Sequence, residues 1–213
     1  MPDDTASEAV AGFGRIAVQG ETLVWVGSQP SAVWMAKTTG ELSDAIKVAD
    51  KIDDTMSING SVGVAVDDEH IYWPDAGKIR RIPIEHAGDK TKIEDFVVGD
   101  DALGASEIAV DEARVYWTRA DGVASQTKDG KDLVRVVTQG QPARALLLDG
   151  KYVYWATDAG TIMRAIRGGG TETLSTLTTN ATRIYALATD CGALFYSTYQ
   201  NALGTIYRLR KPE

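Results

Sequence analysis

Five times along this chain a short apolar stretch ends and, six residues after its last position, an aromatic ring appears. The pairs are Gln19/Trp25, Asp67/Trp73, Asp111/Trp117, Asp149/Trp155 and Asp190/Tyr196. Recurrence at one internal offset marks tandem copies of a single supersecondary unit. The clearest copy runs Val64-Ala65-Val66-Asp67, Ile71-Tyr72-Trp73, Gly77-Lys78-Ile79-Arg80-Arg81 and Asp95-Phe96-Val97-Val98. Each piece is short, rich in β-branched or aromatic residues, and bounded by Asp, Gly or Pro. That pattern predicts four consecutive antiparallel strands, A to D, joined by tight turns.

The aromatic markers lie 48, 44, 38 and 41 residues apart, the spacing of propeller blades. The expected fold is all-β: a five-bladed β-propeller of four-stranded antiparallel blades in one domain, residues 1–213. Its blades fall at about 13–50, 61–99, 106–139, 144–178 and 185–210. The fifth copy runs out after strand C, while residues 5–10 precede the first strand A. Those residues are expected to complete the last blade and remove its open edge. Residues 39–51 read as a loop and a fourth strand, with a helical turn as the alternative.

With 22 basic against 30 acidic residues, the formal charge is −8. Such a surface disfavours nonspecific binding to nucleic acid or anionic lipid. Cys191 is the single cysteine, so no intrachain disulfide can form. No stretch reaches the length of apolar sequence that spans a bilayer. Met1-Pro2-Asp3-Asp4 has neither the basic nor the apolar part of a signal peptide. The expectation is a soluble chain, which an exported bacterial protein would carry as its mature part. Asn59-Gly60-Ser61 and Asn180-Ala181-Thr182 match the glycosylation triplet, a short pattern that arises often by chance.

Tyr72-Trp73-Pro74-Asp75 and Tyr116-Trp117-Thr118-Arg119, each after an Ala-Val-Asp strand, resemble the YWTD repeats of low-density lipoprotein receptor propellers. They are still more similar to tandem bacterial repeats of the form VAVD…VYWT…G-x-I-x-R…GG. Val153-Tyr154-Trp155, Gly160-Thr161-Ile162-Met163-Arg164 and Gly168-Gly169-Gly170 carry that form in the fourth copy. The resemblance implies blade architecture over nearly the whole chain and leaves function open. The receptor class closes with six blades, so its ligands do not carry over to five copies. Five-bladed rings include lectins and some glycosidases, whose site motifs are not found here.

Residues that recur in every copy read as structural. Trp73, Trp117 and Trp155 are expected to pack between neighbouring blades. Asp67, Asp111, Asp149 and Asp190 are expected to hold tight turns by accepting backbone amides two residues on. Arg81, Arg164 and Arg208 share one strand-C position and suggest a repeated contact. Trp34 falls outside the repeat. Function is expected where the copies disagree, in the B–C loops: 27–32, 74–78, 118–122, 156–160 and 197–204. They present the candidate ligand-binding residues Asp75, Arg119, Asp121, Asp158, Tyr199, Gln200 and Asn201. Residues just before each strand A, Arg15, Gly63, Glu107, Arg144 and Tyr185, add a mixed-charge set. Such a set holds a small polar ligand or simply neutralises itself.

Catalytic motifs are missing: no Gly-x-Ser-x-Gly elbow, no phosphate-binding glycine loop, no Cys/His pair. Asp68, Glu69, His70, Glu85 and His86 sit on two hairpin tips and make a weak metal constellation, so no metal and no cofactor are expected. The reading is a noncatalytic binding module for a glycan or small polar ligand. The alternatives are a protein–protein interaction scaffold and a hydrolase pairing Asp75 with Asp121 or Asp158.

Overall fold

The computed structural model describes residues 13–28, 31–50, 62–138, 142–167, 175–178, 183–200 and 203–211. Two compact units divide the chain, Met1–Ala102 and Leu103–Glu213. The described strands form five antiparallel sheets in chain order, the blades of a five-bladed β-propeller.

The first unit holds two sheets. One joins β1 (Phe13–Gln19), β2 (Thr22–Ser28), β3 (Ser31–Lys37) and β4 (Ile46–Asp50). The other joins β5 (Ala65–Val66), β6 (His70–Asp75), β7 (Lys78–Pro83) and β8 (Glu94–Val97). The second unit holds three. Its first two are β9 (Ile108–Val110) to β12 (Leu133–Thr138), with β10 at Arg114–Arg119 and β11 at Gly122–Thr127, and β13 (Ala143–Asp149) to β16 (Ser175–Thr178), with β14 at Tyr152–Thr157 and β15 at Ile162–Ile166. The third is β17 (Ile184–Thr189), β18 (Ala193–Gln200) and β19 (Leu203–Arg210). Residues 5–10, expected to complete this last blade, lie outside the described residues. Within 39–51 the structure gives one 3-10 turn, Leu42–Asp44, followed by β4.

The second strand of each blade organises the packing. In β6, β10 and β14 every residue after the first is buried, on both sheet faces. Successive side chains in a strand point to opposite faces, so adjacent Tyr and Trp serve different neighbours. Trp73 joins Val24, Val33 and Met35 of the preceding sheet. Trp155 likewise joins Val123 and Val136 of the sheet before it, while Tyr154 packs on Ile184 and Leu194 of the sheet after it. Trp73 and Trp155 are therefore inter-blade packing, as their periodicity indicates.

The strand-end aspartates behave as turn anchors. Asp67 Oδ1 accepts the amides of Glu69 and His70 at 2.9 and 2.7 Å, and its Oδ2 accepts the Tyr72 hydroxyl at 3.1 Å. Asp111 Oδ1 accepts Ala113 and Arg114 amides at 2.9 and 2.8 Å, and Asp190 Oδ1 accepts those of Gly192 and Ala193 at 2.8 and 2.6 Å. Asp149 differs. Its turn is the two residues Gly150-Lys151, with Gly150 at φ 52°, and its carboxylate takes Lys211 Nζ at 2.5 Å. That contact ties the fifth blade to the fourth, and Arg167 Nη1 on Asp111 Oδ2 at 3.1 Å ties the fourth to the third. Arg167 and Lys211 each immediately follow their blade's third strand, so the clasp is itself a repeat.

Gly104 is fixed by close approach. Its φ is +77°, and an added Cβ would lie 2.6 Å from Ala120 N. Gly104→Ala is expected to destabilise the protein by about 2 kcal/mol or more, read by urea denaturation. Gly20, at φ +55° with open space around it, should cost about half as much on the same substitution. Burial pushes the Asp111 carboxyl up, but the Ala113 and Arg114 amides, Tyr116 and Arg167 outweigh it and hold it below its ordinary value. A lowered folded-state pKa gives stability that is present above the unfolded value and lost as pH falls through the folded one. The stability gap between the chain and Asp111→Asn should therefore hold steady above about pH 5 and shrink below about pH 4.

Candidate functional site

The β6–β7 hairpin turns through Ala76 and Gly77, at φ 50° and 73°. Two consecutive left-handed residues match the right-handed strand twist of a two-residue hairpin. The turn leaves Asp75 at the end of β6, 8% exposed, with its Oδ2 3.2 Å from Arg80 Nη1. Arg80 lies opposite Asp95 on β8, and its Nε is 3.3 Å from Asp95 Oδ1. Lys78 donates to Asp95 Oδ2 at 2.6 Å. One guanidinium thus bridges two carboxylates from different strands.

A second ion pair faces this network. Asp50, the last residue of β4, accepts the Lys90 ammonium. Lys90 opens a 3-10 turn, Lys90–Lys92, started by Asp89, whose carboxylate accepts the Thr91 amide at 3.0 Å. Between the two ion networks lies a cleft of about 440 Å³, with Ala49 and Ile93 as its apolar walls. Asp50, Asp75 and Asp95 set three carboxylates around it against the cations Arg80 and Lys90. Such a lining suits a small ionic or zwitterionic molecule. Among the described residues no aromatic ring lines the cleft to supply the stacking floor of a neutral-sugar site.

Of the candidate ligand-binding residues that are described, Asp75 alone lines this cleft. In the second unit Arg119, 6% exposed, holds Asp121 through Nε and Nη2 at 2.8 and 3.3 Å. Arg144 holds Asp158 in the same forked way, at 2.9 and 3.3 Å. The turn acids of three blades thus each meet an arginine, the self-neutralising arrangement.

The fifth B–C loop differs from its expected form. β18 continues to Gln200 and β19 resumes at Leu203, with Tyr199 opposite Gly204 and Gln200 opposite Leu203. Thr198 and Tyr199 are strand formers, and their pairing turns the expected loop into a hairpin with two intervening residues. The longer connection belongs to the fourth blade, where 158–161 separate β14 from β15. Asn201 lies outside the described residues.

At the hairpin tips of the second blade, His70 Nδ1 is 3.9 Å from Glu69 and His86 Nε2 is 3.6 Å from Glu85. Burial, then the charge of Arg81, lowers the His70 pKa. Among the described residues no group of three or more His, Cys, Asp or Glu is placed to hold a metal ion. Among them, too, no helix is long and apolar enough to cross a membrane.

Sequence reasoning missed Asp50, Arg80, Lys90 and Asp95. Opposite charges on neighbouring strands, Lys78 and Arg80 against Asp95, were a usable cross-strand signal. Asp50 and Lys90 meet across 40 residues of chain, and no local pattern announces that.

No family profile matches the sequence, and no curated protein matches it. Solved structures do. A chain of the nidogen/laminin complex is 14% identical with a TM-score of 0.70, over 91% of this chain and 75% of that one. The extracellular domain of a protein described as a one-component system of B. thetaiotaomicron is 14% identical with a TM-score of 0.69, over 99% of this chain and 29% of that one. The computationally designed Ika8 protein is 14% identical with a TM-score of 0.62, over 94% and 71%. The present chain is therefore similar in fold to propeller domains, and spans under a third of the B. thetaiotaomicron chain. Identity this low establishes architecture alone.

Proposed function

We propose that this chain is a noncatalytic binding propeller that takes a small polar ligand in the cleft of its first unit. The observation that carries the reading is the buried Asp75 in the lining of a cleft that Asp50 and Lys90 also line. Carboxylates, a guanidinium and an ammonium converge there beside two apolar walls, the combination of a few placed polar groups and an apolar body that ligand sites use. Of the two ligand kinds considered, a charged small molecule fits this lining better than a neutral glycan. Arg119, Asp121 and Asp158 then serve the blade turns rather than the ligand. The extracellular B. thetaiotaomicron neighbour supports an exported setting for this chain.

A second reading has its own observation. On the first sheet Ile16, Trp25, Trp34 and Lys47 lie opposite one another across four strands. The two indoles stack at 6.3 Å and 9°, Lys47 Nζ sits 4.8 Å from the Trp34 ring, and Ile16 and Val18 are 66% and 56% exposed. An apolar row of this kind supports protein docking, and a nidogen/laminin chain is a neighbour in fold.

Ligand-observed NMR with a panel of amines, amino acids, dicarboxylates and neutral sugars tests the proposal. Binding of a charged member should be lost in Asp75→Asn and kept in Asp158→Asn. Binding restricted to neutral sugars, or indifferent to Asp75→Asn, would contradict it.

A further inference from the structure

Within that reading of the cleft, on which this inference rests, the chemistry of the lining points to one class of ligand. We infer that the site takes a small organic cation, a primary amine or guanidine compound, with the Lys90 ammonium as its tethered competitor.

Two features of the cleft lead there. Its lining sets Asp50, Asp75 and Asp95 beside Arg80 and Lys90, and Lys78 reaches Asp95 from outside the lining. Those carboxylates already hold both kinds of organic cation: Arg80's guanidinium lies between Asp75 and Asp95, and Lys90's ammonium lies on Asp50. The two cations are not equally committed. Arg80 is anchored in the middle strand of its sheet, paired to Trp73 on one side and Asp95 on the other. Lys90 reaches in from a surface turn with 59% of its side chain exposed, against 31% for Arg80. A lysine chain so exposed loses rotamer freedom to hold its ion pair, and the net gain of such a pair is small. A ligand amine that delivers its own ammonium to Asp50 therefore displaces Lys90 at little cost. Ala49 and Ile93 give its alkyl body a dry contact, and a cleft of about 440 Å³ accommodates a short diamine.

Isothermal titration with 1,4-diaminobutane at low ionic strength tests this, with disodium succinate and glucose as matched probes and the melting temperature of each variant as the check on folding. The diamine should bind at one site per chain. Lys90→Met should tighten it about threefold or more, Asp50→Asn should weaken it about tenfold, and Asp158→Asn should leave it unchanged. A diamine affinity that falls equally in Asp50→Asn and Asp158→Asn would mean diffuse attraction to an acidic surface, and would overturn the inference. Succinate binding that is lost in Asp75→Asn, with no site for the diamine, would overturn the cation assignment while keeping the cleft as a binding site. Silence of the folded chain toward all three probes would overturn the inference, and the broader panel then decides the fate of the cleft itself.

Discussion

Strand B of the second, third and fourth blades is covered on both faces, and much of the architecture follows from that demand. A strand buried on one face alternates apolar and polar residues, whereas one pressed between two sheets must be apolar or aromatic throughout. Tyr-Trp meets the demand with two large rings aimed in opposite directions. Trp155 fills the gap toward the preceding blade, and Tyr154 fills the gap toward the following one. Removing a buried ring of this size leaves a cavity that sheet backbones cannot collapse, at a cost of about 3–5 kcal/mol. The turns at either end of the strand are tied off by local chemistry. Aspartate accepts two amides at one end, and at the other a left-handed pair or an arginine-held acid closes the hairpin. Most of the polar side chains near the blade core are thereby committed to the fold.

That commitment already occupies the turn acids of the third and fourth blades. Arg119–Asp121 and Arg144–Asp158 are forked ion pairs whose donors and acceptors largely satisfy each other. Each couples a turn to its own blade. The first-unit cleft differs in kind. One of its ion pairs, Asp50–Lys90, crosses from one blade to the next, β4 to the 3-10 turn before β8, and borders a space instead of filling it. The pairs are partly exposed, so screening by salt keeps their contribution to stability modest, which is what an exchangeable site requires.

The repeat made the fold legible. A six-residue offset between strand end and ring, repeated five times, identified the blades, the packing role of the tryptophans and the turn role of Asp67, Asp111 and Asp190. Positions that break the repeat were harder. Trp34 looked unexplained until the register placed it opposite Trp25, a cross-strand pairing that no single-strand period encodes. Tyr199 and Gln200 looked like part of a recognition loop because 197–204 read as the longest B–C connection, yet strand propensity and pairing to Gly204 and Leu203 extended the hairpin through them. The cleft was the least legible feature. Asp75 was named for its place beside a turn, but Asp50, Lys90 and Asp95 come together through tertiary packing of strands whose own sequences show only solvated charge.

The most direct measurement is the backbone amide NMR map of the isotope-labelled chain before and after saturation with a charged ligand from the panel. The account predicts shifts that concentrate at Ala49, Asp50, Asp75, Arg80, Ile93 and Asp95. Shifts that gather instead along Ile16, Val18, Trp25 and Trp34, or around Asp121 and Asp158, would contradict it and move the functional surface elsewhere on the propeller.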